Sequence, residues 1–335
     1  MGQPAAIDVR DLEVGYDELS AVRGLNFTIP AGARMGLVGE SGSGKTLTAL
    51  ALMGLLPVGW RAQGEVIHDG VNLLHLSDGA FSGRRGRTVS MIFQDPMTSL
   101  NPVRRVGDQI ADIIVRHARV NRPTAMAQTI DLMAQTINLM AQMNLPRPDQ
   151  LARSYPHQIS GGQKQRIMIA MALACYPQLI IADEPTTALD VTVQKQVLSL
   201  LSAATRERNS ALLMITHDLP IIAAMCETVA VMYAGRIVEY GPVQAVFRHP
   251  QHHYTRGLLD SQPTMDNIAL DGSARLNSIP GMVPPLSRLP GGCAFHPRCA
   301  AASDICRTSL PLLDKGKTGA ACWHPIAASQ PGATP

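Results

Sequence analysis

The chain is poor in charge, in aromatic rings and in any imbalance of sign. Only 16% of its 335 residues are charged, against roughly 25% in an ordinary soluble domain. Aromatic residues make up 4%, and Lys plus Arg exceed Asp plus Glu by only 29 to 26, a formal net charge of +3. So slight an excess excludes nucleic-acid binding by bulk phosphate neutralisation. Long apolar runs are missing as well. The longest mainly apolar uncharged stretch, Ile167 to Ala182, is broken by Pro177 and falls short of the roughly 20 apolar residues a membrane-spanning helix needs. The N-terminus lacks a basic patch followed by an apolar core, so no secretory signal is expected and the cytoplasm is the expected compartment. There the six cysteines read as thiols or metal ligands before disulfides. Apolar residues are plentiful at 46%. They provide a sizeable core, exclude disorder as the main state and leave surface for protein partners. The length suggests two domains.

Strand alternation runs through Ile7–Val14 and again through Leu25–Ile29. Arg34–Val38 reads as a buried strand entering a Gly-rich turn, and Thr46–Leu56 as an apolar helix stopped by Pro57. Two more buried strands are expected at Leu179–Ala182 and Ala211–Ile215, each ending in polar residues. Short apolar strands joined by helices predict a mainly parallel α/β sheet with ligands at the carboxyl ends of its strands. From Arg104 to Leu151 the pattern is helical, with an internal repeat starting at Met126, Met133 and Met140. Barely three heptads without charged flanks fit a duplicated surface helix better than a coiled coil. Beyond Tyr240–Pro242, prolines and glycines accumulate and predict a loop-rich second region ending in a disordered tail at Ser329–Pro335.

The chemistry begins at Gly39-Glu-Ser41-Gly42-Ser43-Gly44-Lys45-Thr46, which fits the phosphate-loop pattern GxxxxGK[ST] between a predicted strand and a predicted helix. Glycines let the backbone curl so that its N–H groups surround a phosphate, and the helix amino end adds a favourable dipole. Lys45 supplies a point charge to the β- and γ-phosphates of ATP, and the Thr46 hydroxyl suits Mg²⁺, a hard cation that prefers oxygen. At the end of Leu179–Ala182 stand Asp183 and Glu184. Asp183 is expected to hold the Mg²⁺ and Glu184 to polarise the attacking water.

Ile159-Ser160-Gly161-Gly162-Gln163 resembles the LSGGQ signature of ABC-type ATPases, with Ile in the usual Leu position. The resemblance spans about residues 5–245. It implies a P-loop NTPase fold, a RecA-like core with a helical subdomain at about 95–165. It also implies that Ser160, Gly161, Gly162 and Gln163 close over the ATP of a partner subunit. Other positions fall into place under the same resemblance. Tyr16 lies where an aromatic ring stacks on adenine, although a half-buried strand tyrosine would look the same. Gln94 matches the glutamine loop that contacts Mg²⁺ and the water, and Asp190 matches the loop across the dimer interface. His217 matches the histidine that senses the γ-phosphate.

Within that family, Met91–Pro102, Tyr155–Gln158, Val231–Gly235 and His249–Leu259 resemble the ATP-binding subunits of dipeptide and oligopeptide importers. This implies a peripheral subunit on the cytoplasmic side of a bacterial inner membrane. Its partners would be a second, non-identical ATP-binding subunit, two transmembrane permease subunits and, indirectly, an external solute-binding protein, with no nucleic acid. Importers of nickel, glutathione and other small solutes share the resemblance. A soluble non-transport ABC ATPase is the rival of another class. Domains are expected at 1–245 and 246–335. In the latter, Cys293, Cys299, Cys306 and Cys322 are separated by gaps of five, six and fifteen residues. No pair has the close spacing common in zinc sites. Four thiolates are the right number for a [4Fe–4S] cluster, and the subfamily resemblance points the same way; zinc and plain thiols stay open. Cys175 and Cys226, in apolar contexts, read as small core residues.

Overall fold

The structure is a computed structural model that describes residues 5–95, 99–117, 134, 136–186, 190–262, 278–314 and 317–327. Five parallel strands form its centre, in the order β9-β3-β8-β7-β6. These are β3 (Arg34–Val38), β6 (Val89–Ile92), β7 (Leu179–Asp183), β8 (Ala211–Ile215) and β9 (Thr228–Tyr233). Every residue of β6, β7 and β8 is buried. That is why they read as unbroken apolar runs rather than alternating ones. Because β3, β8, β7 and β6 are neighbours and run the same way, the segments leaving their carboxyl ends lie side by side. Those segments carry the Gly-rich loop, His217, Asp183–Glu184 and Gln94.

Past β9 the sheet turns antiparallel through β10 (Arg236–Pro242) and β11 (Gly319–Ala320). A separate antiparallel sheet, in the order β2-β1-β4-β5, comprises β1 (Ala5–Tyr16), β2 (Leu19–Pro30), β4 (Trp60–His68) and β5 (Val71–Asn72). The sequence pattern marks its first two strands but not their separate sheet. In β1 the buried positions change parity, from Ile7 and Val9 to Leu12 and Val14. A bulge at Asp11, with φ of 45°, accounts for the change. Gly64 on β4 makes room for it: a Cβ there would stand 2.4 Å from the Asp11 carbonyl oxygen.

Helix α1 spans Lys45–Leu52 rather than reaching Leu56, since Met53 and Gly54 already turn the chain. Helix α2 is Val106–His117 and α3 is Gly161–Leu173. Met126–Met133 of the repeat lie outside the described residues. From Thr136 on, the segment is helical, and Leu139, Met140 and Met143 enter the same core as Ile167 and Leu173 of α3. The described part of the repeat therefore packs inward on one face. Helices α4 (Val191–Glu207), α5 (Leu219–Met225), α6 (Val243–Arg248) and α7 (His253–Asp260) follow. Among its described residues the later region is built of turns, two 3₁₀ segments (Leu286–Arg288 and His296–Arg298) and one short α-helix, α8 (Asp304–Thr308). Buried Glu239 of β10 ties it to the sheet by accepting from the backbone N–H of Gln251 at 2.7 Å and of His252 at 3.0 Å. No helix among the described residues is long and apolar enough to cross a membrane.

Candidate active site

The loop Gly39–Gly44 joins β3 to α1, and Gly44 caps the helix with φ of 104°. A Cβ at Gly44 would lie 2.9 Å from the Ala21 carbonyl oxygen and 2.8 Å from the Met232 side chain, so glycine is required on two grounds. Lys45 is buried, and its Nζ donates to the carbonyls of Gly39 at 2.7 Å and Glu40 at 2.9 Å, and to Ser43 Oγ at 3.3 Å. Burial pulls the Lys45 pKa down, while the carboxylates of Glu184, Asp183 and Glu40 pull it back up.

Across from the loop, Asp183 closes β7 and is 2% exposed. Burial pushes its pKa up; the Thr46 hydroxyl donates to it and opposes that shift, Glu184 adds to it and Lys45 counters it. Oxygen donors from buried Asp183 and exposed Thr46 make a set suited to a hard divalent cation. Glu184 departs from strand geometry at φ of 46°, a conformation costly for a non-glycine residue, and its N–H donates to the Ile215 carbonyl at 2.8 Å. One Glu184 oxygen meets His217 Nδ1 at 3.0 Å and the other accepts from Gln94 Nε2 at 3.3 Å. Three strand ends thus converge on one carboxylate.

Between them lies a cleft of about 350 Å³ lined by Ser41, Gly42, Gly44, Lys45, Thr46, Gln94, Glu184 and His217, and also by Ala21, Leu47 and Leu286. Asp183 stands behind it in contact with Thr46. Tyr16 is 42% exposed, tilts against Trp60 with ring centroids 5.9 Å apart, and does not line the cleft. Neither do Ser160–Gln163. Ser160 caps α3 through a reciprocal box in which its Oγ accepts from Gln163 N–H at 3.3 Å and Gln163 Oε1 accepts from Ser160 N–H at 3.0 Å. Gly161 is open to solvent, and a Cβ there would meet nothing within 4 Å. Asp190 caps α4, accepting from Val193 N–H at 2.9 Å. These residues form a second helix-end surface, away from the chain's own cleft.

Cys293, Cys299, Cys306 and Cys322 line a single cavity together with His252, Phe295, His296 and His324. Burial pushes the thiols of Cys293 and Cys299 up, and that of Cys322 to about 11; in each case neighbouring cysteines add to the shift. His252 is 1% exposed, and burial holds its ring neutral with a pKa pushed down to about 3. Its Nδ1 accepts from Tyr254 N–H at 3.0 Å, while Nε2 is buried with no hydrogen-bond partner among the described residues. Among the described residues no three or more His, Cys, Asp or Glu side chains form a ready ligand set for one metal ion. Cys226 packs against the core, and Cys175 is half-buried with its Sγ 3.6 Å from the Ile113 carbonyl.

The family model described as ABC transporter matches residues 22–187. With the parallel sheet and its cleft, this makes the protein an ATPase of the ABC class. A second model, the oligopeptide/dipeptide transporter C-terminal region, matches residues 238–306. The chain is 45% identical over 332 residues to the oligopeptide transport ATP-binding protein OppD of Salmonella typhimurium, covering 97% of this chain and 96% of that protein. It is also 45% identical to OppD of Escherichia coli, over 96% of this chain and 94% of that one. It therefore belongs to the ABC transporter family, in the branch of the oligopeptide transport ATP-binding proteins. Among solved structures, a dimeric bacterial ABC transporter cassette superposes with a TM-score of 0.62 at 24% identity, over 71% of this chain and 98% of its own. A cassette of the CbiONQ transporter from Clostridium perfringens superposes at 0.60 with 25% identity, over 73% and 91%.

Sequence reasoning found the residues around Glu184 but missed Glu40, Tyr254, Leu286 and Arg298. Glu40 falls in a variable position of the loop pattern. The other three come from the C-terminal region, and nothing in their local sequence announces contact with a loop more than two hundred positions away.

Proposed function

We propose that this chain is an ATP-binding and ATP-hydrolysing subunit of an importer that takes up dipeptides and oligopeptides. The observation that carries the reading is the Glu184 carboxylate, held between Gln94 and His217 and facing the cleft that contains Lys45. Gly39, Ser41, Gly42, Ser43, Gly44 and Lys45 would cradle the phosphates of ATP, and Tyr16 would stack on adenine. Glu184 would orient the attacking water and accept its proton, while His217 and Gln94 hold that carboxylate in place and face the γ-phosphate. Thr46, Gln94 and Asp183 would hold Mg²⁺, which supplies positive charge to the β- and γ-phosphate oxygens. The distance of Ser160–Gln163 and Asp190 from the chain's own cleft suits a head-to-tail pair. There the signature helix end, with its open Gly161 and favourable dipole, closes over the partner's γ-phosphate.

In this reading residues 1–245 form the ATP-binding domain, with a helical subdomain at about 95–165, and residues 246–335 form the importer-type extension. The subunit sits on the cytoplasmic face of the membrane, with a second, non-identical ATP-binding subunit and two membrane-spanning permeases. An external solute-binding protein delivers the peptide, which never touches this chain. Cys293, Cys299, Cys306 and Cys322 would hold a [4Fe–4S] cluster, which supplies a covalent staple to a region built mostly of turns. Their shared cavity and the unpartnered Nε2 of buried His252 favour that assignment.

Purification of the intact complex tests the whole reading. Mass spectrometry should identify two ATP-binding subunits and two permeases, and the reconstituted complex should import short peptides upon ATP addition. Import of nickel or glutathione but not peptides would move the substrate assignment. Absence of permeases would overturn the transporter role.

A further inference from the structure

Glu40, the second residue of the phosphate loop, is pinned by three of its groups. Its carboxylate forms a two-pronged ion pair with Arg298, Nη1 to Oε2 at 2.7 Å and Nη2 to Oε1 at 3.0 Å. Its N–H donates to the Tyr254 hydroxyl oxygen at 2.7 Å. Its carbonyl accepts from Lys45 Nζ at 2.9 Å and from Ser43 N–H at 3.2 Å. Both Arg298 and Tyr254 belong to the C-terminal region, and both are themselves immobilised. Tyr254 is fully buried, its ring tilted against Tyr233 at 4.6 Å and Phe295 at 5.4 Å between centroids. Arg298, 8% exposed, also donates from Nε to the Pro280 carbonyl at 2.8 Å.

We propose that Arg298 and Tyr254 are positioning residues for ATP binding, holding the two peptide units on either side of the Glu40 Cα and, through the Gly39 and Glu40 carbonyls, the Lys45 ammonium. A guanidinium fork on a carboxylate fixes direction as well as distance. The buried Tyr254 hydroxyl holds the Gly39–Glu40 peptide plane, whose carbonyl, that of Gly39, is the other acceptor of Lys45 Nζ at 2.7 Å. The segment that presents the Gly39 and Glu40 carbonyls, on which Lys45 rests, is thus held by side chains from outside the ATP-binding domain. Leu286, from the same region, lines the mouth of the cleft beside Ala21. The C-terminal region is therefore a structural part of its own chain's nucleotide site. This inference rests on the reading of Gly39–Thr46 as the ATP cradle.

The test uses the full chain for MgATP titration and the assembled transporter for turnover. Glu40→Gln keeps the side chain's shape and removes the ion pair; Arg298→Gln removes its other half; Tyr254→Phe removes only the hydroxyl. Each should weaken MgATP binding by about 10-fold, the loss typical of a hydrogen bond to a charged group. KM should rise with kcat changed by less than about threefold, which a general loss of stability would not produce. The Glu40→Gln/Arg298→Gln pair should cost no more than either change alone, because the two groups act as one contact. If Arg298→Gln or Glu40→Gln does not fold, the latter because it leaves the buried Arg298 guanidinium without its carboxylate, Tyr254→Phe carries the measurement. Folded Glu40→Gln and Tyr254→Phe variants that bind MgATP within about twofold of the unaltered chain would overturn the proposal. Lys45→Ala separates the two levels: normal ATP affinity in that variant defeats the cradle itself. Lost affinity there with normal affinity in the other variants defeats only the brace.

Discussion

Glu184 and His217 meet at 3.0 Å, although Glu184 follows one strand and His217 follows the next. The contact uses one carboxylate oxygen, and Gln94 holds the other. The carboxylate is thereby aimed into the cleft rather than left to rotate. Glu184→Gln keeps the shape and removes the base. The expected outcome is retained ATP binding with turnover slowed by roughly 10²–10⁴-fold. Single-turnover hydrolysis by the assembled transporter measures it, and an unchanged rate would remove Glu184 from the chemistry.

Lys45 rests on the carbonyls of Gly39 and Glu40, its charge supported by three carboxylates. Replacement by alanine removes the ammonium and leaves those carboxylates facing one another. MgATP affinity of Lys45→Ala should fall by at least about 10-fold, the loss of a charge-assisted contact. Isothermal titration of the isolated chain reads this directly.

The late cysteines carry an expectation that chemical analysis can check. Protein prepared without oxygen should hold about four irons and four inorganic sulfides per chain. Exchange of Cys299 and Cys306 for serine should remove them. One zinc per chain, or no metal at all, would contradict the cluster.

Cys226 gives a pH prediction. Burial pushes its thiol up to about 12, Glu227 adds to the shift, and Arg34 opposes it. The unfolded thiol loses its proton at a pH near 8.5, so above that pH the folded state binds more protons than the unfolded one. Stability should therefore fall as pH rises from about 9 towards 12. Urea midpoints at pH 8 and pH 10 should diverge more for the unaltered chain than for Cys226→Ala. Parallel pH profiles would refute the assignment.

Much of the site was legible because its residues sit where parallel strands end. The buried strand at Leu179–Asp183 announces itself as an apolar run closed by two acids, and the phosphate loop by its glycines. The four-stranded antiparallel sheet was harder to read. Its first strand carries a bulge at Asp11 that interrupts the alternation, so no single period describes it. Helix α1 stops at Leu52 because local turn formation at Met53–Gly54 precedes Pro57. The Arg298–Glu40 pair was illegible for a different reason. Each residue alone looks like an ordinary charge, and only the folded chain brings them within 2.7 Å.

The two-residue strand Gly319–Ala320 pairs with Glu239 and Tyr240 of β10. Without that pairing, the outer rim of the large sheet would offer unpaired N–H and C=O groups to any passing strand. A version of the chain trimmed before Gly319 should thus be prone to stick to copies of itself, even with its catalytic cleft intact.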